Sequence, residues 1–221
     1  MIDLVFDHPQ FVVINKAPGV SFHQEDGVPG VAELTRSQFN YPELFPVHRL
    51  DKVTSGLLLL AKDGTTARQL SDAFANHQVE KRYIALAAKA PKKKQGWIKG
   101  DMEKGRNGQW RLSHLNTNPA LTWFISRGLG DGHRAFLLFP YSGKTHQLRV
   151  AMKSLGSPIL GDELYSGPAA DRTYLHAWQL AFSLNGEDFR FSQAPNVGQH
   201  FNHATLSEIL AEWQDMPRPK P

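Results

Sequence analysis

His48, Arg49, Asp51, Lys52, Thr54 and Ser55 place one carboxylate among cations and hydroxyls, directly before the apolar run Leu57-Leu58-Leu59-Leu60-Ala61. A carboxylate in that company can attack as a nucleophile or take up a proton, which makes Asp51 the candidate catalytic residue. The apolar run has the pattern of a short strand buried on both faces. Asp51 is therefore expected on a loop braced by rigid core. Taken alone, a loop Asp before a strand is more readily a turn cap, so its meaning depends on what accompanies it.

Three further stretches accompany it in order. They are Val12-Val13-Ile14-Asn15-Lys16-Ala17-Pro18-Gly19, Lys81-Arg82-Tyr83, and Ser142-Gly143-Lys144-Thr145-His146-Gln147-Leu148-Arg149-Val150. Gly161-Asp162 with Tyr165, and Leu175-His176-Ala177, follow them. With His48 to Gly56 and the continuation to Lys62, these segments closely resemble the RluA family of pseudouridine synthases, which isomerise uridine to pseudouridine in structured RNA. The usual HRLDxxTSGLLLxAK signature is matched at every fixed position by residues 48–62. Two positions depart from the family's pattern: Lys144 stands where the third stretch usually has Arg, and Ala17 alters the first stretch's NKPxG.

The resemblance implies an α+β pseudouridine synthase fold, a long mixed and mostly antiparallel sheet with flanking helices and a central active-site cleft. It implies that Asp51 is the catalytic carboxylate, attacking C1′ or taking the C2′ proton, two routes the sequence leaves open. Tyr83 is implied to stack on the target base and accept its C5 proton, and Arg149 to pair with the carboxylate and hold it ionised. A base inside an RNA stack must be flipped out before chemistry, and Arg49 is implied to fill the space it leaves. His48, Thr54, Lys144 and His146 complete the RNA-facing set, although His48 reads equally as a structural histidine and Tyr83 equally as an ordinary strand tyrosine. The implied partner is rRNA or tRNA, with no cofactor and no metal. The first motif starts within about ten residues of Met1, so the expectation is a form without an S4-like domain: one catalytic domain over 1–216, a disordered tail over 217–221, and a monomer.

Composition sets the bounds. At 221 residues and 41% hydrophobic the chain can bury a substantial core. It has no cysteine, which excludes disulfides, thiol nucleophiles and thiolate metal sites. It opens without the features of a signal peptide and has no apolar run near the ~20 residues of a membrane span, so no membrane partner and a cytoplasmic location are expected. Net charge is +4, yet residues 89–111 hold eight Lys or Arg against Asp101 and Glu103, a local +6. That basic cluster, with Trp97 and Trp110 interleaved, suits an RNA backbone. Lys92, Lys93 and Lys94 after Pro91 fit phosphate contact and a solvated loop equally well.

These groups need elements to position them. Strands are expected over 11–16, 57–61 and 80–88, and a hairpin joins 120–126 to 133–139 through a glycine-rich turn. Thr65 is expected to cap a helix through Asn76, with Ala67, Leu70, Ala73 and Phe74 on its core face. Thr145 is expected to cap a helix to Leu155 that Gly156 ends, with His146 and Arg149, three residues apart, sharing a face next to its apolar stripe. Thr205 to Glu208 reads as a capping box for a last helix.

Other readings fail on spacing. Gly143-Lys144-Thr145 mimics a P-loop, but the required first glycine falls on Leu138. His48 to Asp51 mimics a kinase catalytic loop with an inserted Leu and no Asp-Phe-Gly. The ten His residues show no metal-ligand spacing. A hydrolase would need a second carboxylate near Asp51. The competing class is a non-catalytic RNA-binding protein on the same fold.

Overall fold

The run after Asp51 is a strand buried along its whole length, Ser55–Ala61, and Phe11–Lys16 beside it is equally enclosed. The computed structural model describes residues 2–221; Met1, the first residue of the expected domain, lies outside the described residues. In chain order the elements are β1 (Ile2–Asp7), β2 (Phe11–Lys16), α1 (Val31–Phe39), β3 (Phe45–Pro46), β4 (Ser55–Ala61), α2 (Gly64–Ala75), β5 (Glu80–Ala87), β6 (Gln95–Lys104) and β7 (Trp110–Ser113). They continue as β8 (Ala120–Gly130), β9 (His133–Pro140), α3 (Gln147–Ser154), β10 (Leu175–Leu184), β11 (Glu187–Ser192) and α4 (Ala204–Trp213). Short 3₁₀ turns lie at Glu163–Tyr165 and Gln199–Asn202. This is an α+β chain with mixed, mostly antiparallel pairing, as the resemblance implied.

Packing divides it into two compact units, one of residues up to Lys81 with His176–Pro195, the other of Arg82–Leu175 with Asn196–Pro221. In the first, β2 lies between β1 and β4, antiparallel to both. The other edge of β4 is shared: β10 pairs with its start in parallel, His176 opposite Ser55, and β3 pairs with its end, Phe45 opposite Ala61. β11 adds to β10 as a hairpin. Phe11, Val13, Leu57, Leu59, Leu180 and Phe182 form the core, and Leu70 of α2 packs into it. The cap of α2 is Asp63, whose side chain accepts from the Thr66 N–H at 2.8 Å; Thr65 sits inside the helix instead. An ionised Asp two positions earlier is the stronger acceptor for the open N–H groups.

The second unit is an antiparallel sheet in the order β5-β9-β8-β6-β7. The expected hairpin is there, but β8 runs on to Gly130 with a bulge between Gly128 and Gly130. Two caps again differ from expectation. α3 begins at Gln147, because His146 adopts a left-handed conformation at φ 56° and cannot continue a helix; Thr145 and His146 therefore precede it. Its other end is as read: Gly156 is left-handed at φ 73°, with Gly156 N–H donating to Lys153 O and Ser157 N–H to Met152 O, the Schellman arrangement. α4 is capped by His203, whose ring accepts from the Thr205 N–H at 3.2 Å, so Thr205 is helical. In the 217–221 segment, Arg218 lies 4.2 Å from the centroid of the Tyr141 ring, and the Tyr141 hydroxyl donates to Pro219 O.

Gly56 is the tightest backbone approach beside Asp51. It has φ +110°, and a Cβ there would lie 2.3 Å from Ala177 O and 2.6 Å from Ala177 N. Both counts require glycine. Gly56→Ala is expected to destabilise the protein by more than about 2 kcal/mol, read as a lower urea midpoint at unchanged slope; a midpoint like the wild type's would show that β10 moves aside at little cost.

Candidate active site

Asp51 sits in a turn that its neighbours fix from the backbone inward. Asp51 O accepts from the Thr54 N–H at 3.0 Å, and Lys52 O accepts from the Gly19 N–H at 2.8 Å. Lys16, at the end of β2, is wholly buried. Its ammonium donates to Ala17 O and Val20 O, each at 3.0 Å, and to Lys52 O at 3.3 Å. An ammonium has three N–H donors, and three carbonyls from two loops meet them. Lys16 thus ties the loop after β2 to the turn that carries Asp51, a role that its place at the end of an apolar run did not reveal. On the outside of the same turn Lys52 pairs with Glu25 at 2.6 Å, in solvent where such a pair contributes little.

The other groups of this loop divide into support and surface. His48 Nε2 accepts from the Leu59 N–H at 3.0 Å, and its ring stacks on Phe74 with centroids 4.3 Å apart. Burial, with the Lys81 charge second, pushes its pKa down to about 3, so the ring is neutral with its proton on Nδ1. An uncharged ring committed to β4 supports the loop and brings no charge to a phosphate. Thr54 is buried and closes the Asp51 turn. Ser55 Oγ and His176 Nδ1 are 2.8 Å apart, and His176 Nε2 lies 2.7 Å from Gln193 O. A carbonyl only accepts, so Nε2 carries the proton and Ser55 donates to Nδ1. Arg49, in contrast, is exposed, its guanidinium 5.6 Å from the centroid of the Phe22 ring.

In the second unit Tyr83 is buried on β5 opposite Leu138. Arg149 of α3 is buried too and makes a two-point ion pair with Asp162, Nε to Oδ2 at 2.8 Å and Nη2 to Oδ1 at 2.7 Å. Its guanidinium also lies 5.0 Å from the centroid of the Tyr165 ring. The Tyr165 hydroxyl accepts from the Trp110 N–H at 3.0 Å and lies 2.8 Å from His146 Nδ1. Gly161-Asp162 and Tyr165 thus have a physical reason to stand together: they hold Arg149 and His146. Gln147 fixes the start of α3, accepting from Ser142 Oγ and the Lys144 N–H and donating to Leu121 O and Thr122 Oγ1. Lys144 Nζ donates to Asn118 Oδ1 at 3.0 Å. Lys92, Lys93 and Lys94 are exposed between β5 and β6.

Tyr83, Leu138 and Phe124 lie in one row across β5, β9 and β8. Thr122, two residues from Phe124, shares its face by strand alternation and bonds Gln147. The α3 helix that carries Arg149 therefore packs on the face that carries Tyr83.

The fold and these motifs define a uridine-isomerising class of RNA enzyme, and comparison with known proteins agrees. Residues 10–154 match the RNA pseudouridylate synthase family. A Haemophilus influenzae chain called an uncharacterized RNA pseudouridine synthase is 46% identical over 218 residues, 98% of this chain and 97% of that one. The ribosomal large subunit pseudouridine synthase C of Rickettsia bellii is 32% identical over 190 residues, 81% of this chain and 63% of that protein. A solved human structure, RNA pseudouridylate synthase domain containing 1, matches at a TM-score of 0.78 and 22% identity, covering 100% of this chain and 97% of its own, a likeness of fold. The chain belongs to the RNA pseudouridine synthase family, isomerases that act on RNA. Among the described residues no helix is long and apolar enough to cross a membrane.

Two expectations come from this geometry. Because His48 titrates near 3 in the fold against an ordinary 6.5, the unfolded chain takes its proton first, and stability is lost as pH falls below 6.5. Urea midpoints of the wild type should fall from pH 6.5 toward 4.5, above the range of the carboxylates, and those of His48→Asn should change less; equal slopes would assign the loss elsewhere. Asp162→Ala should cost about 3–5 kcal/mol by taking the two-point carboxylate contact from the buried Arg149 guanidinium, whereas the double variant Arg149→Met, Asp162→Leu should recover much of that. A double variant no more stable than the single one would mean the pair is not the source.

Proposed function

We propose that the protein converts a specific uridine to pseudouridine in structured rRNA or tRNA, with Asp51 as the catalytic carboxylate acting on a flipped-out base. The observation that carries this reading is the clamp on the Asp51 turn, where Thr54, Gly19 and the buried Lys16 hold the backbone on both sides of the carboxylate. A group that must meet one ribose in one orientation gains most from such fixing. The name of the Rickettsia bellii relative supports rRNA as the substrate class.

In the reaction the N1–C1′ bond breaks, the uracil turns, and C5 bonds to C1′; C5 loses its proton and N1 takes one up. Nothing is hydrolysed or consumed, so the balance needs no co-reactant. Asp51 attacks C1′ or withdraws the C2′ proton, and Tyr83 stacks on the uracil and receives the C5 proton. A phenol with an ordinary pKa of about 10 is a weak base at neutral pH, so stacking is its larger contribution. Arg149, held by Asp162, supplies a fixed cation. Arg49, exposed beside Phe22, enters the gap the uridine leaves. Lys144, His146 and Lys92 to Lys94 contact the RNA around the target.

The test is tritium release from rRNA and tRNA transcripts carrying C5-tritiated uridine, with wild type and Asp51→Ala side by side. The wild type should release tritium from one RNA class, and Asp51→Ala should release none while binding that RNA nearly as well. Binding without release by the wild type would favour the non-catalytic RNA-binding reading, and loss of binding in Asp51→Ala would make Asp51 structural.

A further inference from the structure

The basic stretch from Lys89 to Arg111 does not fold as one surface. β6 alternates, with Gln95, Trp97 and Lys99 exposed and Ile98 and Gly100 buried between them. Trp97 pairs with Trp123, and Trp123 with Phe139, a row adjacent to the Tyr83 row and pointing from the other side of the sheet. Trp110 is paired with Lys104, at even positions of β6, and its backbone is tied to Tyr165. The two tryptophans that interleave with the charges in sequence therefore serve opposite faces of this unit.

On the face away from Tyr83, cover falls off toward β6. Phe139 is wholly buried, Trp123 is half-buried, and Trp97 is 39% exposed. α4 lies over the near side, where Arg127 pairs with Glu212 and Arg82 Nη1 donates to Gln214 O. At the open side Trp97 meets Tyr141 with centroids 5.1 Å apart, and Arg218 lies over the Tyr141 ring. Lys99 stands two residues along β6 on the same side, and Lys94 ends the exposed lysine run that enters the strand. The acidic groups further along the strand are engaged: Asp101 accepts from the Thr117 and Asn118 N–H groups, and Glu103 pairs with Arg111. An exposed indole with cations on either side matches an unpaired nucleotide, whose base has a π-face and whose phosphates are anionic.

We propose that this face is a second RNA contact of the enzyme, on the side of the sheet opposite Tyr83, where an unpaired base stacks on Trp97 and the flanking phosphates meet Lys99 and Arg218. It rests on the reading that the substrate is RNA, and it extends the substrate to a strand that reaches around the edge at β6. A contact so placed adds affinity without touching the reacting atoms.

The experiment measures Kd and the single-turnover rate of tritium release at saturating RNA, on the same C5-tritiated rRNA and tRNA transcripts. Trp97→Thr, which keeps a strand-forming residue, should raise Kd about tenfold, as expected for loss of one stacked base. Trp97→Phe should keep most of the affinity, and Lys99→Ala should lower the slope of log K against log salt by about one. The saturating rate should stay at the wild-type value in all three. Wild-type Kd in Trp97→Thr, or an unchanged salt slope in Lys99→Ala, would overturn the proposal. Should Trp97→Thr fail to fold, Lys99→Ala and an Arg218→Ala variant, expected to lower the slope likewise, decide the matter. A wild type that binds but releases no tritium would instead sink the isomerase reading and leave this surface to be judged on Kd alone.

Discussion

A buried ammonium must find acceptors or it destabilises whatever encloses it, and the Lys16 side chain is where this chain meets that requirement. It donates to the carbonyls of Ala17, Val20 and Lys52, so two loops that are distant in sequence are held at one point. Pairing continues from there. Lys16 stands opposite Gly56 across β2 and β4, and Gly56 stands opposite Ala177 of β10. The position of Asp51 is therefore set by an ion at the end of one strand and by close backbone packing at the start of the next. Sterics around Gly56 and the charge of Lys16 act on the same few residues from opposite directions.

The second unit uses a different device, a chain of buried polar groups with little tolerance for loss. Arg149 and Asp162 form a two-point ion pair, Tyr165 covers the guanidinium and reaches His146 and Trp110, and Gln147 joins α3 to β8. Such networks specify geometry when complete and are costly when broken. The left-handed backbone of His146 belongs to this arrangement, since the residue is held by its ring contact with Tyr165 outside the helix it precedes.

Much of this was legible in the residues. The strand over 11–16 has its expected bounds, because the β-rich run from Phe11 to Ile14 lies between Pro9 and Pro18. β4 shows in the same way through Leu57 to Ala61, whereas β5 shows as a β-rich run and β8 and β9 through the glycine-rich turn between two such runs. Helix starts were not: Thr65, Thr145 and Thr205 were each one or two residues late or early, because several polar residues compete near each start and backbone conformation decides among them. The β6–β7 hairpin hid behind its charges. The Arg149–Asp162 contact and the loop-joining role of Lys16 depend on groups brought together through space, which local pattern does not report. Between the RNA-facing and the structural reading of His48, its ring contacts with β4 and Phe74 favour the structural one.

One feature of β4 has a dynamic consequence. β2 covers one edge of this strand over residues 56–61, while β10 and β3 hold opposite ends of the other edge. Amides facing β2 are freed only when β2 leaves, and those at the two ends of the other edge only when β10 or β3 leaves, so no single opening frees the whole strand and slow amide exchange is expected along β4. The carboxylate at its head then keeps its place while the outer hairpins breathe, and motion needed to admit RNA can be confined to the exposed loops without disturbing the anchor.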